Sequence, residues 1–582
     1  MPYKLNIVAF ILSALFLVGC SSEDQSTATA MAAPVQVAAH TILKNGKIYT
    51  MDSTRSWADS VAISDGRIVF VGSGDEAEAY AGDTTRVIDL DGSMVLPSFQ
   101  DVHIHPVTGG ILYNECSLFD LETLDAVLAA ISLCVEQNPD ADFINGGGWG
   151  WEIFIGSDGP HRNLLDEIDS TRPLFFGDSD GHTLWVNSAA LSWAGIDAST
   201  PVPEGGDFGR DSSTGELTGT LLEGSAMSLI YDRMPAYSTA QKMDALRYTQ
   251  SYLHSLGITA IQDALVHLQG NEPYKSLDAY QALQEAGELN LRVVAALYWQ
   301  PGAGLDQIEA LKAARAQYSK GRLQAHSIKF WADGIIETHT AMMLEPYSDQ
   351  ADNRGFMMVS LEEMLAAVPK LDAEGFQIHI HAIGDATVRY ALDALEGALE
   401  VNGKRDSRHL TAHTQLVHPD DIARFGQLNV IAGFSPYWAY ADEYVAIINP
   451  PQLGPERMGW MYPIKSITDT GGRVAFGSDW YVSNADPLLG IETAVTRVEP
   501  QGEPTPVFIP EQRISLDQAI AGYTIDAAFA NFLDADTGSI EVGKYADLVV
   551  LEQNLFDIEP AAISDAGLKA TLLEGELVFG EL

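Results

Sequence analysis

From residue 97 onward, short apolar runs return along the chain, near 97–104, 258–264, 291–298, 326–332, 376–382, 409–414, 430–435 and 474–479. Between them lie stretches in which apolar positions recur every three or four residues, as at 240–256, 361–374 and 385–401. Near-continuous apolar strands alternating with amphipathic helices are the pattern of a parallel sheet covered on both faces. Eight such units predict an α/β fold of the (β/α)8 barrel type. The count requires a large insertion after strand 1, about residues 107–257, with strands of its own near 143–149 and 173–178. An open doubly wound sheet is the alternative.

Ahead of the barrel the pattern shortens to strands at 41–51, 60–71 and 86–96, punctuated by Asp65-Gly66 and Asp91-Gly92. Such dipeptides suit tight turns between strands. A similar passage returns at 538–551 and 570–579. Residues 39–96 and 536–582 are therefore expected to pair as one small β-sandwich built from both termini, around a barrel domain spanning 97–535.

The first residues read differently again. Lys4 precedes an almost unbroken apolar run over residues 5–18, which ends in Leu17-Val18-Gly19-Cys20 and the polar Ser21-Ser22-Glu23-Asp24. A run this short fits the apolar region of a signal peptide and is too short for a comfortable membrane span. The ending resembles a bacterial lipobox, which implies a signal peptide over 1–20, lipidation at Cys20 and a flexible tether over 21–38. Ser21 after the cysteine then implies the outer membrane, facing the periplasm. An ordinary secretory signal with an incidental cysteine is the alternative. In an oxidising compartment Cys116 and Cys134 can pair as a disulfide or stay as two separate thiols.

Charge narrows the partners. With 33 basic against 80 acidic residues the formal net charge is −47, so a nucleic-acid or anionic-lipid surface is excluded. Contact with a membrane is expected only through the N-terminal lipid. The partner is a small-molecule substrate, and self-association into a homo-oligomer stays open. An apolar fraction of 46% excludes wholesale disorder.

Candidate chemistry gathers at strand ends. In Asp101-Val102-His103-Ile104-His105-Pro106 the two histidines lie two apart, so both face the same way in a strand and can grip one metal ion. Lys329, His381, His413 and Asp479 sit at the ends of the fourth, fifth, sixth and eighth expected strands. His379 shares a face with His381 but lies deeper, as a core or supporting histidine. In the insertion, His182 and Trp149 are candidate substrate contacts, as is His339 after the fourth strand. Gly146-Gly147-Gly148-Trp149 lacks the Gly-Lys-Ser/Thr ending of a phosphate loop, and no Gly-x-Ser-x-Gly elbow occurs.

Together with Asp180-Gly181-His182, His413-Thr414-Gln415, Gly477-Ser478-Asp479-Trp480 and Gly543-Lys544-Tyr545-Ala546-Asp547-Leu548, these motifs resemble the amidohydrolase superfamily. The likeness is to its type-3 branch, which includes N-substituted formamide deformylases, and it runs from about residue 39 to the end of the chain. It implies a metal-dependent hydrolase acting on non-peptide carbon–nitrogen bonds, amide or formamide, through metal-activated hydroxide. His103, His105 and Asp479 would hold one divalent ion, His381 and His413 a second, with zinc the expected metal given the nitrogen-rich donors. Lys329 would bridge the ions as a carbamate. Asp479 would also be the catalytic residue, as general base and then general acid. Other readings are hydrolysis of esters, lactones or dipeptides, a mononuclear deaminase, and a non-catalytic ligand-binding lipoprotein on the same barrel.

Overall fold

A computed structural model describes residues 38–119, 121–155, 159–203, 205–269, 275–502 and 505–582. The expected signal peptide, the lipidation site Cys20 and nearly all of the tether lie outside the described residues.

Eight parallel strands form the central sheet in chain order: β1 (Phe99–Ile104), β2 (Ile258–Val266), β3 (Arg292–Tyr298), β4 (Leu323–Trp331), β5 (Gln377–Ala382), β6 (Leu410–His413), β7 (Ile431–Phe434) and β8 (Arg473–Phe476). All eight fall on the apolar runs expected from the sequence. The sheet curls until its ends meet: the Asp479 amide donates to the His103 carbonyl at 2.8 Å, and the His105 amide donates to Trp480 at 2.7 Å. These bonds hold the segment after β8 against β1, giving a nearly closed barrel. Register then sets which residues stand side by side. Lys329 lies beside His379, Trp331 beside His381, and Ala382 beside His413.

Helices Thr239–Ser255, Leu361–Ala373 and Asp385–Asn402 cover the sheet, close to their expected bounds. Helix Thr239–Ser255 leads into β2 and packs on helix Pro106–Asn114. The contact needs glycine at 110, because a Cβ there would sit 2.4 Å from the Ala245 carbonyl.

The insertion carries its own six-stranded mixed sheet, which includes Ile144–Trp149 and Leu174–Asp178. Cys116 and Cys134 are disulfide-bonded, with Cα atoms 5.9 Å apart. The bond ties strand Cys116–Ser117 to helix Leu124–Gln137. Closing a loop of this length removes freedom from the unfolded chain, so Cys134→Ser should destabilise the insertion by about 3 kcal/mol. A calorimetric unfolding midpoint unchanged by the substitution would contradict this.

Both termini build the sandwich. The expected strands at 41–51 and 86–96 each break in two, into Thr41–Lys44 with Lys47–Tyr49 and Arg86–Asp89 with Met94–Pro97. The breaks fall at Asn45 and Asp91, whose φ values of 59° and 50° lie in the left-handed region. Each break sends the two halves to opposite sheets, one of four strands and one of six. In the larger sheet Val95 pairs with Val550, joining the N-terminal and C-terminal pieces. Leu43, Ile48, Val61, Val95, Leu548 and Val550 fill the space between the sheets.

Candidate active site

The C-terminal ends of the strands open into a cavity of about 230 Å³, room for a small molecule. Its floor holds His103, His105, Lys329, His381, His413 and Asp479. His105 Nε2 lies 3.0 Å from Asp479 Oδ1, and His103 Nε2 lies 3.3 Å from the same oxygen. The donor atoms of these three residues all fall within 4.8 Å of one another. Lys329 Nζ is 3.4 Å from His103 Nε2. The His413 ring centre lies 4.5 Å from that of His381 and 4.6 Å from that of His103. His381 Nε2 points towards the Gly334 carbonyl, 3.3 Å away.

Buried partners hold this floor in place. Asp101 accepts the His103 amide at 2.9 Å and, through its other oxygen, the Ser478 amide at 3.0 Å and hydroxyl at 2.5 Å. That carboxylate staples β1 to the loop after β8. His379 Nε2 lies 2.8 Å from His103 Nδ1, so one ring donates to the other and the tautomer of His103 is set from behind. His379 is therefore a positioning residue. Asp333 accepts the Gly384 amide at 2.9 Å and the Thr387 hydroxyl at 2.7 Å, fastening the loop after β4 to the one after β5.

Backbone strain collects at the same place. His413, Thr414 and Asp479 have φ of 68°, 43° and 57°. Left-handed geometry at non-glycine residues costs about 1–3 kcal/mol each and persists where the surroundings over-determine it. Thr414 is held by a hydrogen bond to the Gly433 carbonyl at 3.0 Å, and Asp479 by the hydrogen bond its N–H donates to the His103 carbonyl.

Electrostatics suit metal ligation. Burial, with Lys329 nearby, holds the imidazoles of His103 and His379 well below their ordinary range, and burial does the same for His381 and His413. Neutral imidazoles keep a lone pair for a metal. Burial also pulls Lys329 down to about 7, against the pull of Asp479. For Asp479, burial works to raise the carboxyl, but His413 and His105 outweigh it and keep it ionised. His413 Nδ1 is buried without a hydrogen bond. An ionised carboxylate, neutral imidazoles and an unsatisfied ring nitrogen are a donor set that fits a divalent cation.

His182 lines the cavity from the insertion, its ring centre 5.5 Å from that of His381. Burial opposes its charge, yet Glu223 at 2.7 Å wins and raises it to about 9. Glu223 has no sequence signal, being one of many acids in the insertion with no motif around it. Two expected substrate contacts lie elsewhere. Trp149 is fully buried in the insertion core, where its indole donates to the Phe176 carbonyl at 2.9 Å. Its ring packs edge-on against Phe154 and Trp185. His339 pairs with Asp349 at 2.9 Å and packs against Tyr347, outside the cavity lining.

The profile of the Amidohydrolase family matches residues 86–579. The chain belongs to the amidohydrolase family. Its relatives include Protein LONG AFTER FAR-RED 3 of Arabidopsis thaliana, 31% identical over 98% of this chain and 97% of that protein. N-substituted formamide deformylase of Arthrobacter pascens is 27% identical over 92% of this chain and 97% of that protein. Among solved structures, an uncharacterized metal-dependent hydrolase from Pyrococcus horikoshii shares the fold, with a TM-score of 0.69 at 23% identity over 89% of this chain and 99% of that one. This amidohydrolase is thus a hydrolase with a candidate metal site at the mouth of its barrel.

The seam beneath that site leaves no room. A Cβ on Gly477 would lie 2.7 Å from the His103 nitrogen and 2.8 Å from Asp101 Oδ1. Gly477→Ala should therefore push the supporting groups apart and lower zinc affinity about 10- to 100-fold. Competition with a chromophoric chelator measures it, and unchanged affinity would mean that the seam does not position the site.

Proposed function

We propose that this amidohydrolase cleaves a non-peptide carbon–nitrogen bond, of the amide or formamide type, at a centre of two divalent metal ions. The observation that carries the reading is the convergence of five buried or nearly buried metal donors and one lysine on a single cavity floor. His103, His105 and Asp479 would hold one ion, and His381 and His413 the other. The amine of Lys329 is largely unprotonated just above neutrality, so its Nζ can add to carbon dioxide, forming an N–C bond and losing a proton to solvent. The resulting carbamate would add two anionic oxygens to the donor set on the floor. When bound, such ions polarise a carbonyl and bring the pKa of water to about 7.

The chain's own residues do the rest. Asp479 is ionised and lies at the floor, so it can take the proton of the attacking water and hand it to the departing amine. His379 and Asp101 keep His103 in place, and the strained backbone at Asp479 fixes where its carboxylate points. The protonated His182, held by Glu223, stands over the floor as a hydrogen-bond donor for substrate. The likeness to a formamide deformylase supports formamides as the first compounds to try.

The reading is tested by supplying zinc and bicarbonate to chelator-stripped protein and following amine release from N-alkylformamides and matched esters. Turnover of the formamides supports it, whereas turnover of the esters alone would reassign the bond cleaved. We also propose that Cys20 anchors the exported protein to the outer membrane. Cys20→Ala should then shift it from the membrane fraction to the soluble periplasmic fraction, and an unchanged distribution would contradict the anchor.

A further inference from the structure

Opposite the histidine floor, the upper wall of the cavity is acidic. Glu152 follows the Gly-rich strand of the insertion, Asp180 sits in a turn of the same insertion, Glu337 lies in the loop after β4, and Asp442 lies in the loop after β7. Four carboxylates from four separate segments thus reach one cleft. Its lining includes no arginine, and its one lysine is Lys329 on the floor. Asp180 receives the Ser179 hydroxyl on Oδ1 at 3.3 Å, while its Oδ2 is buried in the wall without a hydrogen-bond partner. Tyr440 and Tyr444 line the same half, and the Tyr444 hydroxyl donates to Glu152 at 3.1 Å.

Four part-buried acids round one cleft repel one another, and the cation that acts on Asp180 and Glu337, the His182 imidazolium, is already paired with Glu223. Burial first, and then Asp178, Glu337 and Glu152, push the carboxyl of Asp180 well above its ordinary range; burial raises Glu337 against its hydrogen bonds and the nearby His182; and burial with Glu337, Glu443 and Glu152 lifts Asp442 to about 7. A cation in the cleft would reverse that repulsion. A metal ion does not suit the wall. Among the described residues, the one group of three or more His, Cys, Asp or Glu donors close enough to share an ion is His103, His105 and Asp479, on the floor. Carboxylates spread along a cleft and interleaved with tyrosine rings suit an extended organic cation, which aromatic faces also attract.

We propose that the substrate carries a protonated amine or guanidinium on the side away from the scissile bond, held by Glu152, Asp180, Glu337 and Asp442. The substrate class is then an N-acylated or N-formylated diamine or a related basic amide. Compounds with a carboxylate at that end are repelled. The substrate assignment rests on the hydrolase reading above, but cation binding stands on the cleft alone.

The test uses three formamides of matched length on the full chain supplied with zinc and bicarbonate: N-(5-aminopentyl)formamide, N-hexylformamide and 6-formamidohexanoic acid. The ammonium compound should exceed the neutral one at least tenfold in kcat/KM, mainly through KM, and the carboxylate compound should fall below both. Glu337→Gln and Asp180→Asn, each checked for native circular dichroism, should collapse the ammonium preference about tenfold, and Glu152→Gln provides a third variant if either fails to fold. In parallel, 1,5-diaminopentane is titrated calorimetrically on the same proteins. Diamine binding that weakens about tenfold in the variants, without hydrolysis of any formamide, upholds the cation site and overturns the hydrolase reading. Equal kcat/KM for the ammonium and neutral compounds, or diamine binding unchanged in all variants, overturns the cation site.

Discussion

Asp479→Asn is expected to lower kcat by about 10³-fold, within the range of general acid–base catalysis, while leaving most of the bound metal in place. Asparagine keeps an oxygen that can ligate but cannot accept and return a proton at neutral pH. It is also well chosen for the backbone, since φ at this residue is 57° and asparagine tolerates the left-handed region better than most residues. The hydrogen bond from the N–H of residue 479 to the His103 carbonyl uses main-chain atoms and survives the change. Steady-state kinetics and metal analysis on the same preparation make the comparison. Equal loss of turnover and metal would make Asp479 a ligand and no more.

The second large effect concerns Lys329. Its amine is pulled down to about 7 by burial, so the neutral form, which alone reacts with carbon dioxide, dominates above that pH and is lost below it. At a fixed concentration of dissolved carbon dioxide, reactivation of apo-protein by zinc should be about tenfold slower at pH 6 than on its alkaline plateau, one pH unit being a factor of ten in the neutral fraction. Lys329→Met should remove the dependence on carbon dioxide and leave about one equivalent of zinc. Stopped-flow reactivation checks the first statement and metal analysis the second. A rate indifferent to both carbon dioxide and pH would contradict the carbamate.

Much of this molecule was readable before any coordinates. Barrel strands are apolar on both faces, so each appears as a run that stands out from the amphipathic helices around it, and all eight were placed. Residues at the C-terminal ends of such strands gather at the barrel mouth, which is why His103, His105, Lys329, His381, His413 and Asp479 could be grouped from position, whereas their roles came from the resemblance to the family. Orientation within an irregular segment is another matter. Trp149 follows three glycines and His339 follows the fourth strand, but which way each turns depends on packing contributed by distant residues. The sandwich shows the same limit: the turn at Asp91-Gly92 was visible, yet its sending the two halves to different sheets depends on a partner strand near residue 550. Apart from Asp180, which lies in the Asp180-Gly181-His182 motif, the acidic wall left no trace, because Glu152, Glu337 and Asp442 share no spacing and meet only through the fold of the loops over the barrel.

The central claim is that the barrel mouth is a binuclear metal site, and metal content tests it most directly. Protein lacking residues 1–20, purified without chelator, is analysed by mass spectrometry beside a His103→Ala/His105→Ala variant. The account predicts about two equivalents of zinc per chain, lost from the variant. No metal in either protein, even after incubation with zinc and bicarbonate, would contradict it.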